Sequence, residues 1–282
     1  MLPPGTDALI ELAFGEDLGD GDHTSLSTIP ADAQGAAYLL VKDDGILAGV
    51  ELAQAVAAYS DPALSFRILR EDGSPVKKGD IAFHLLGPTR SILTVERVLL
   101  NFMQRMSGIA TMTRRFVDAV DGTGCQVLDT RKTTPGLRGV EKWAVRIGGG
   151  RNHRHGLYDM IMIKDNHHDF AGGIPKAIEA ARSYLARTGR DLPIEVETRD
   201  LLEVEQVLAT GGVQRIMLDN FDPTRLREAV ALIDRRVETE ASGGITLHTV
   251  RSFAETGVDF VSVGAITHSV PSLDLSLKAL GR

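Results

Sequence analysis

The chain has 282 residues, of which 43% are hydrophobic and 24% charged, and its formal net charge is −7. This composition is typical of a folded globular protein, and the acidic balance argues against a dedicated nucleic-acid-binding protein. The length favours two domains or one large α/β barrel. The single cysteine, Cys125, excludes an internal disulfide and a multi-thiolate metal site. With no signal peptide and no apolar run of membrane-spanning length, we expect a cytoplasmic protein.

The first part of the sequence predicts a mixed α and β region. A helix is expected from Thr6 or Asp7 to Phe14, followed by an acidic loop over residues 16–23, and a second helix is expected at Glu51–Tyr59. The predicted strands are Ala36–Lys42, Leu64–Leu69 and Ile81–Leu86. Val76 lies between two predicted turns, and a short apolar segment between turns is also found in biotinyl and lipoyl carrier domains. Because no lysine here is displayed between Met or Ala as in those carriers, a structural domain is favoured.

The segment from Ser91 to Val120 predicts a helix with one apolar face. Gly108 is expected to interrupt or kink it. The apolar residues that recur at intervals of three and four are Ile92, Val95, Leu99, Phe102, Met103 and Met106.

After Gly124 the sequence alternates between short β-branched runs and helical stretches. The predicted strands are Gln126–Asp129, Met160–Ile163, Ile194–Val196, Ile216–Leu218, Val237–Thr239 and Phe260–Val263. The predicted helices are Ile174–Arg187, Leu201–Ala209, Pro223–Asp234 and Leu247–Glu255. Repeated βα units with apolar strands indicate a parallel sheet covered by helices, which six or seven such units can close into a barrel.

Polar residues or glycines follow each of these strands. They are Asp129-Thr130-Arg131-Lys132, Lys164-Asp165-Asn166, Glu197, Asp219-Asn220, Ser242-Gly243-Gly244 and Gly264-Ala265. In an α/β barrel the carboxyl ends of the strands share one rim, where active sites lie. The pattern therefore predicts a site on this rim.

The charge pattern indicates a compact anionic ligand. Residues 131–164 contain eight Lys or Arg and two acids, whereas the rest of the chain is strongly acidic. The alternative explanation for these basic residues is a helix face exposed to solvent. We expect this for Lys142 and Arg146 but not for Arg131 and Lys132.

The loop Ser242-Gly243-Gly244 precedes a helix expected to start near Thr246, and such a loop can bind phosphate through its backbone amides. Glu197 and Asp219 end neighbouring strands, and Mg²⁺ or ribose hydroxyls are the ligands expected for this pair. The histidines at 153, 155, 167 and 168 have no metal-binding spacing, so zinc is disfavoured and His167 and His168 are expected in a loop.

Motifs spread along nearly the whole chain resemble the quinolinate phosphoribosyltransferase family. The main segments are Asp129-Thr130-Arg131-Lys132-Thr133, Asn152-His153-Arg154, Ile163-Lys164-Asp165-Asn166-His167, Glu195-Val196-Glu197, Leu218-Asp219-Asn220, Ser242-Gly243-Gly244 and Val263-Gly264-Ala265. The resemblance implies an N-terminal α/β sandwich over residues 1–105, completed by the tail 270–282. It also implies an open α/β barrel of the type II phosphoribosyltransferase kind over residues 106–269, and a homodimer or an assembly of dimers with shared active sites.

The implied reaction joins quinolinate to phosphoribosyl pyrophosphate with Mg²⁺. It gives nicotinate mononucleotide, pyrophosphate and carbon dioxide on the route to NAD. The resemblance implies a catalytic set of Lys132, Lys164, Glu197 and Asp219, with Mg²⁺ near Asp219. It implies a substrate-binding set of Arg97, Thr130, Arg131, Lys132, His153, Arg154, Lys164, Glu197, Asp219, Ser242, Gly243, Gly244, Val263, Gly264 and Ala265.

Within that set the partner subunit's Arg97 would join Arg131 and Arg154 around the dicarboxylate. His155 and the pair Gly139-Val140 depart from the family pattern, which affects local packing rather than a chemical role. Two alternatives stay open: a paralogue associated with molybdenum transport that acts on another acceptor, and a non-catalytic sensor of phosphoribosyl ligands. The complete arginine and histidine set argues against both.

Overall fold

The structure is a computed structural model that describes residues 2–280. Contacts divide the chain into two compact units. The first unit comprises the described parts of residues 1–114, 133–149 and 266–282, and the second comprises residues 115–132 and 150–265. Grouping by contact is a different criterion from the folding domains expected from the sequence, so the predicted domain division stays a prediction.

The helices and strands are numbered in chain order. The elements up to the long central helix are α1 (Thr6–Leu18), α2 (His23–Thr28), β1 (Gln34–Val41), β2 (Gly45–Ile46), α3 (Val50–Ser60), β3 (Ser65–Ile68), β4 (Pro75–Val76), β5 (Ile81–Pro88) and α4 (Thr89–Val120). The remaining elements are β6 (Gln126–Leu128), α5 (Arg138–Ile147), β7 (Ile161–Ile163), α6 (Asp165–Ala171), α7 (Ile174–Thr188), β8 (Ile194–Thr198), α8 (Leu201–Thr210), β9 (Arg215–Asp219), α9 (Pro223–Ile233), β10 (Glu238–Ser242), α10 (Val250–Ala254), β11 (Phe260–Ser262), α11 (Ala265–His268) and β12 (Leu275–Ala279).

The first unit contains a four-stranded antiparallel sheet in the order β12-β1-β5-β3. In β1, Leu39 and Val41 are fully buried and alternate with partly exposed residues, as expected for a strand with one face in a core. The C-terminal strand β12 pairs with β1, and Leu39 lies opposite Leu277. The end of the chain therefore completes the sheet begun near its start.

Helix α4 runs without interruption through Gly108, so the expected interruption is wrong. A Cβ atom at position 108 would lie 2.2 Å from the backbone oxygen of Pro271, so this glycine allows a close approach of two backbones. The predicted apolar face is confirmed, since Leu99, Met103 and Met106 are fully buried.

The expected acidic loop over residues 16–23 is confirmed only for residues 19–22. Helix α1 continues to Leu18, and α2 begins at His23. Asp22 caps α2, because its Oδ1 accepts a hydrogen bond from the backbone N–H of Ser25 at 3.0 Å. The acidic run thus contains a helix end, a short loop over residues 19–22 and a helix cap.

The second unit contains a six-stranded parallel sheet in the order β6-β11-β10-β9-β8-β7. Each of the strands predicted after Gly124 is present, although β10 ends three residues later than expected, at Ser242. Among the described residues β6 and β7 are the edge strands of an open sheet, which confirms the predicted fold class. None of the described helices is long and apolar enough to cross a membrane.

Candidate active site

The predicted site residues of the second unit follow the carboxyl ends of its parallel strands. In the register of β9 and β10, Asp219 lies opposite Ser242, the last residue of each strand. Glu197 is the fourth residue of β8, and Lys164 directly follows β7. Because parallel strands end at the same edge, these side chains meet on one rim.

A lysine and two carboxylates form the first half of this rim. The ammonium Nζ of Lys164 donates a hydrogen bond to Oε2 of Glu197. Burial and the nearby charge of Glu197 raise the pKa of Asp219, while Lys164 opposes this effect. The side-chain amide of Asn220 also donates to Oδ2 of Asp219 at 2.6 Å. The arrangement concentrates negative charge that is only partly neutralised, as suits hydroxyl groups, a cation or developing positive charge.

The glycine loop after β10 is fixed against the loop after β9. Asn220 adopts a left-handed conformation with φ of 57°, and its N–H donates to the backbone oxygen of Ser242 at 2.9 Å. A Cβ atom at Gly243, where φ is 101°, would lie 2.2 Å from Oδ1 of Asn220. Only glycine fits at this position, and the turn therefore follows directly from the sequence Ser242-Gly243-Gly244.

The helix after this loop begins later than expected. Helix α10 starts at Val250, whereas residues 246–249 form a turn closed by the N–H of Thr249 and the oxygen of Thr246. The prediction of phosphate binding therefore depends on loop amides rather than on a helix end. After β11, the N–H of Val263 donates to the oxygen of Leu128 at 2.9 Å, so this amide belongs to the sheet. Gly264 and Ala265 follow it and are partly exposed.

The second half of the rim is built around the buried carboxylate of Asp129. Its Oδ2 accepts from the side-chain amide of Asn152 at 2.6 Å, and its Oδ1 accepts from the backbone N–H of His153 at 2.9 Å. These bonds hold the loop of residues 151–154 beside the end of β6, which leads into Thr130 and Arg131. The Thr130 hydroxyl accepts from the N–H of Lys132 at 3.0 Å.

Two arginines come close together at this end of the rim. Burial lowers the pKa of Arg154, and the nearby charge of Arg131 lowers it further, while Glu195 and Asp159 oppose the shift. Neighbouring guanidinium groups repel one another, and an anion with two carboxylates relieves that repulsion through paired hydrogen bonds. Lys132 adjoins Arg131 and is exposed.

A buried charged cluster lies behind His153, and the sequence reasoning assigned it no role. The ring nitrogen Nε2 of His153 is 2.9 Å from Oε2 of Glu195 and 3.4 Å from Oε2 of Glu240. Arg215 Nη1 lies 3.0 Å from the same oxygen of Glu240. Burial lowers the pKa of His153, but the hydrogen bonds and charges of the two carboxylates outweigh burial and raise it to about 9. The sequence does contain a signal for this cluster, namely acids at every second position of a buried strand, as in Glu195-Val196-Glu197.

Other expectations for charged residues have mixed outcomes. His167 and His168 lie in α6 rather than in a loop, because the N–H of Lys164 donates to Nδ1 of His167 at 2.9 Å and starts the helix.

Lys142 is only 2% exposed, so the prediction of a solvent-exposed helix face is wrong for this residue, whereas Arg146 is exposed as expected. Arg97 lies exposed in α4, in the first unit, and its predicted role stays a prediction.

The parallel sheet and its rim define the class: an α/β protein with charged side chains at the carboxyl ends of its parallel strands, where α/β-barrel enzymes have their active sites. Residues 22–107 match the family model described as "Quinolinate phosphoribosyl transferase, N-terminal domain", and residues 109–278 match the model of the C-terminal domain. The chain belongs to the quinolinate phosphoribosyltransferase family.

Relatives with known names agree with this assignment. The chain is 51% identical to the chloroplastic nicotinate-nucleotide pyrophosphorylase [carboxylating] of Arabidopsis thaliana, over 96% of this chain and 82% of that protein. It is 44% identical to a probable nicotinate-nucleotide pyrophosphorylase [carboxylating] of Bacillus subtilis, over 95% and 91% of the two chains. The crystal structure of NadC from Streptococcus pyogenes matches with a TM-score of 0.94 and 40% identity, covering 100% of this chain and 99% of that chain.

Proposed function

We propose that this chain transfers the phosphoribosyl group of phosphoribosyl pyrophosphate to quinolinate and that the product loses carbon dioxide. The products are nicotinate mononucleotide, pyrophosphate and carbon dioxide, in the de novo synthesis of NAD. The observation that carries the proposal is the pairing, on one rim, of the Arg131–Arg154 cluster with the cluster of Lys164, Glu197 and Asp219, in a chain of this family.

The arginine cluster is the acceptor end of the site. Quinolinate carries two carboxylates on adjacent ring carbons, and guanidinium groups bind carboxylates through two parallel hydrogen bonds. Arg131 and Arg154 supply two such groups. Burial and, after it, the charge of Arg131 lower the pKa of Arg154, and a dianion bound between the two guanidinium groups offsets their repulsion. His153 lies in the same loop as Arg154, and Lys132 adds a further positive charge.

The carboxylate cluster is the donor end of the site. As pyrophosphate leaves, positive charge develops at the anomeric carbon of the ribose, and Glu197 and Asp219 stabilise that charge. They also accept hydrogen bonds from the ribose hydroxyls. Lys164 neutralises one carboxylate and provides a cation for the leaving pyrophosphate, and the loop Ser242-Gly243-Gly244 offers backbone amides to the 5′-phosphate.

The donor end suits Mg²⁺. Burial and Glu197 raise the pKa of Asp219, which shows that the two carboxylates repel each other, and a divalent cation reduces such repulsion. Mg²⁺ binds through one or two carboxylates together with substrate phosphates, so Asp219 would hold it with the pyrophosphate of the substrate. When bound, the ion supplies charge stabilisation to the leaving group.

Decarboxylation uses the positive charge that the ring nitrogen carries after alkylation. As the adjacent carboxylate leaves as carbon dioxide, the electron pair of the broken bond stays on the ring carbon beside that nitrogen, whose charge stabilises it, and a proton from water then adds to this carbon. The arginine cluster holds the ring in place during this step. The remaining carboxylate becomes that of nicotinate mononucleotide.

We further propose a homodimer, or an assembly of dimers, in which Arg97 of one subunit serves the site of its partner. This proposal rests on the family resemblance and on the exposure of Arg97 in α4. A cytoplasmic location stays a prediction from cysteine usage.

The decisive assay measures nicotinate mononucleotide formation from quinolinate, with nicotinate as the rival acceptor. We expect quinolinate to be preferred by tens- to thousands-fold in kcat/KM, because nicotinate leaves one partly buried cation of the site without a carboxylate partner at a cost of about 2–5 kcal/mol. Comparable kcat/KM values for the two acids would overturn the substrate assignment. Binding of quinolinate in calorimetry without any turnover would identify a sensor instead.

A further inference from the structure

The ring of His153 connects the interior of the second unit to the acceptor end of the site. Its Nε2 atom faces the carboxylates of Glu195 and Glu240, and its Nδ1 atom lies 2.7 Å from the backbone nitrogen of Arg154. Burial and the charge of Glu240 raise the pKa of Glu195, whereas the hydrogen bond and charge of His153 and the charge of Arg215 outweigh burial and lower the pKa of Glu240. An ionised carboxylate only accepts hydrogen bonds, so an ionised Glu240 calls for a proton on Nε2. At the other nitrogen, the N–H of Arg154 donates to Nδ1.

A neighbouring strand holds the carboxylate of Glu240. Arg215 in β9 donates to Glu240, and its guanidinium carbon lies 4.2 Å from the ring centroid of Phe260 in β11. Among the described residues, Oε1 of Glu195 and Oε1 of Glu240 are buried without a hydrogen-bond partner. The cluster therefore has more acceptors than donors, which makes the proton on Nε2 of His153 hard to remove.

The charged groups around His153 act differently on its two nitrogens. Glu195 and Glu240 favour a second proton on the ring, whereas the Arg154 amide, which needs the lone pair of Nδ1, opposes it. Asp129 accepts a hydrogen bond from the backbone N–H of His153. Nε2 carries a proton both in the neutral ring, where Nδ1 is unprotonated, and in the charged ring, where both nitrogens are protonated.

We propose that Glu195 and Glu240 are positioning residues, which hold a proton on Nε2 of His153 and thereby fix its ring and the main chain of Arg154 at the acceptor end of the site. This inference rests on the proposed acceptor role of Arg131 and Arg154. The effect is comparable to that of a buried carboxylate that selects the tautomer of a catalytic histidine.

A metal ion is the competing occupant of this cluster. One ligand atom from each of His153, Glu195 and Glu240 lies within 4.8 Å of the others. However, Arg215 already neutralises Glu240, and a metal would have to displace the proton of Nε2. The geometry therefore favours a proton over a metal.

The first test uses the unmodified enzyme labelled with nitrogen-15 at histidine, and NMR that distinguishes protonated from unprotonated ring nitrogens. We expect Nε2 of His153 to stay protonated from about pH 6 to about pH 9. A ring protonated on Nδ1 alone would overturn the proposal, as would loss of the Nε2 proton on addition of zinc. Because this readout needs no turnover, it remains decisive even if quinolinate is not the substrate.

The second test compares Glu240→Gln and Glu195→Gln with the matched control Glu238→Gln. Glu238 lies on the same strand as Glu240 and binds the same Arg215, with Nη2 at 2.9 Å, but does not contact His153. For Glu240→Gln we expect the His153 titration to move down by at least about one pH unit. We also expect the KM for quinolinate to rise by roughly tenfold, with kcat changed by less than about threefold.

The control variant should change neither the titration nor the KM. If Glu240→Gln does not fold, Glu195→Gln and the measurement on the unmodified enzyme still decide the question. An unmoved titration in both buried variants, or a fall in kcat at constant KM, would show that the carboxylates do not act through His153.

Discussion

The two units bury charge in different ways. In the first unit, Glu141 is fully buried and accepts hydrogen bonds from Nε and Nη2 of Arg105, at 3.0 and 2.7 Å, and from the N–H of Thr134 at 3.1 Å. Arg105 also donates to the backbone oxygens of Thr267 and Val270. Donors and acceptors are matched, which is typical of a pair that stabilises one arrangement of the chain.

In the second unit, the cluster of His153, Glu195 and Glu240 has surplus acceptors and adjoins the rim where the predicted site residues lie. Burying incompletely matched charge costs free energy, so such a cluster is expected where its charge serves a neighbouring group. The comparison teaches that buried charge alone does not indicate function. The balance of donors and acceptors and the connection to the rim separate the two cases.

The largest effect is expected for Glu141→Ala in the first unit. The variant leaves the charge of Arg105, whose side chain is 23% exposed, without its buried partner, at a cost of about 3–5 kcal/mol of unfolding free energy. Urea denaturation measures the loss. Activity per folded molecule should be retained, and a stable variant with reduced kcat would place this pair in the active site instead.

The next largest effect is expected for Glu197→Gln and Asp219→Asn at the donor end of the site. Each neutral variant should lower kcat by about 10²–10³, the usual cost of removing one electrostatic contact made in the transition state. Steady-state kinetics and quinolinate binding by calorimetry test this separately. Unchanged kcat with a raised KM for quinolinate would assign the residue to the acceptor instead.

The next prediction concerns a site shared between two subunits, and the effect to be measured is a partial recovery of activity. Arg97 belongs to the first unit and Lys132 to the second. Arg97→Ala and Lys132→Ala should each be nearly inactive alone, yet mixing and re-pairing them should restore roughly a quarter of all sites in an isologous dimer. Activity after subunit exchange, confirmed by mass spectrometry, is the measurement. Mixtures as inactive as their parents would mean that Arg97 does not act in a partner's site.

The smallest effect is expected for Glu238→Gln. Glu238 is 53% exposed and binds Arg215, which keeps Glu240 as a buried partner. Loss of an exposed pair should change the unfolding free energy by less than about 0.5 kcal/mol. A destabilisation as large as that of Glu141→Ala would remove the distinction between exposed and buried charge drawn above.

Most of the second unit could be predicted from the sequence, because each βα unit combines an apolar strand with a polar residue at its end. Two of the errors have different causes. At Gly108 the helix continues, and the missing side chain leaves room for the backbone of Pro271, a distant partner about which periodicity within a short window carries no information. Near Asp22 the acidic run contains a helix cap made within three residues, which is a local signal.

The sequence by itself determined the succession of strands and helices along the chain of the second unit, the glycines that shape the loop after β10, and the positions of Asp129, Lys164, Glu197 and Asp219 at the ends of strands. Only the tertiary structure decided which charges are buried together, because Glu195, Arg215 and Glu240 come from three strands and their side chains meet only when the sheet forms. The orientation of His153 was decided in the same way: its partners lie 42 and 87 residues away along the chain and within 3.4 Å in space.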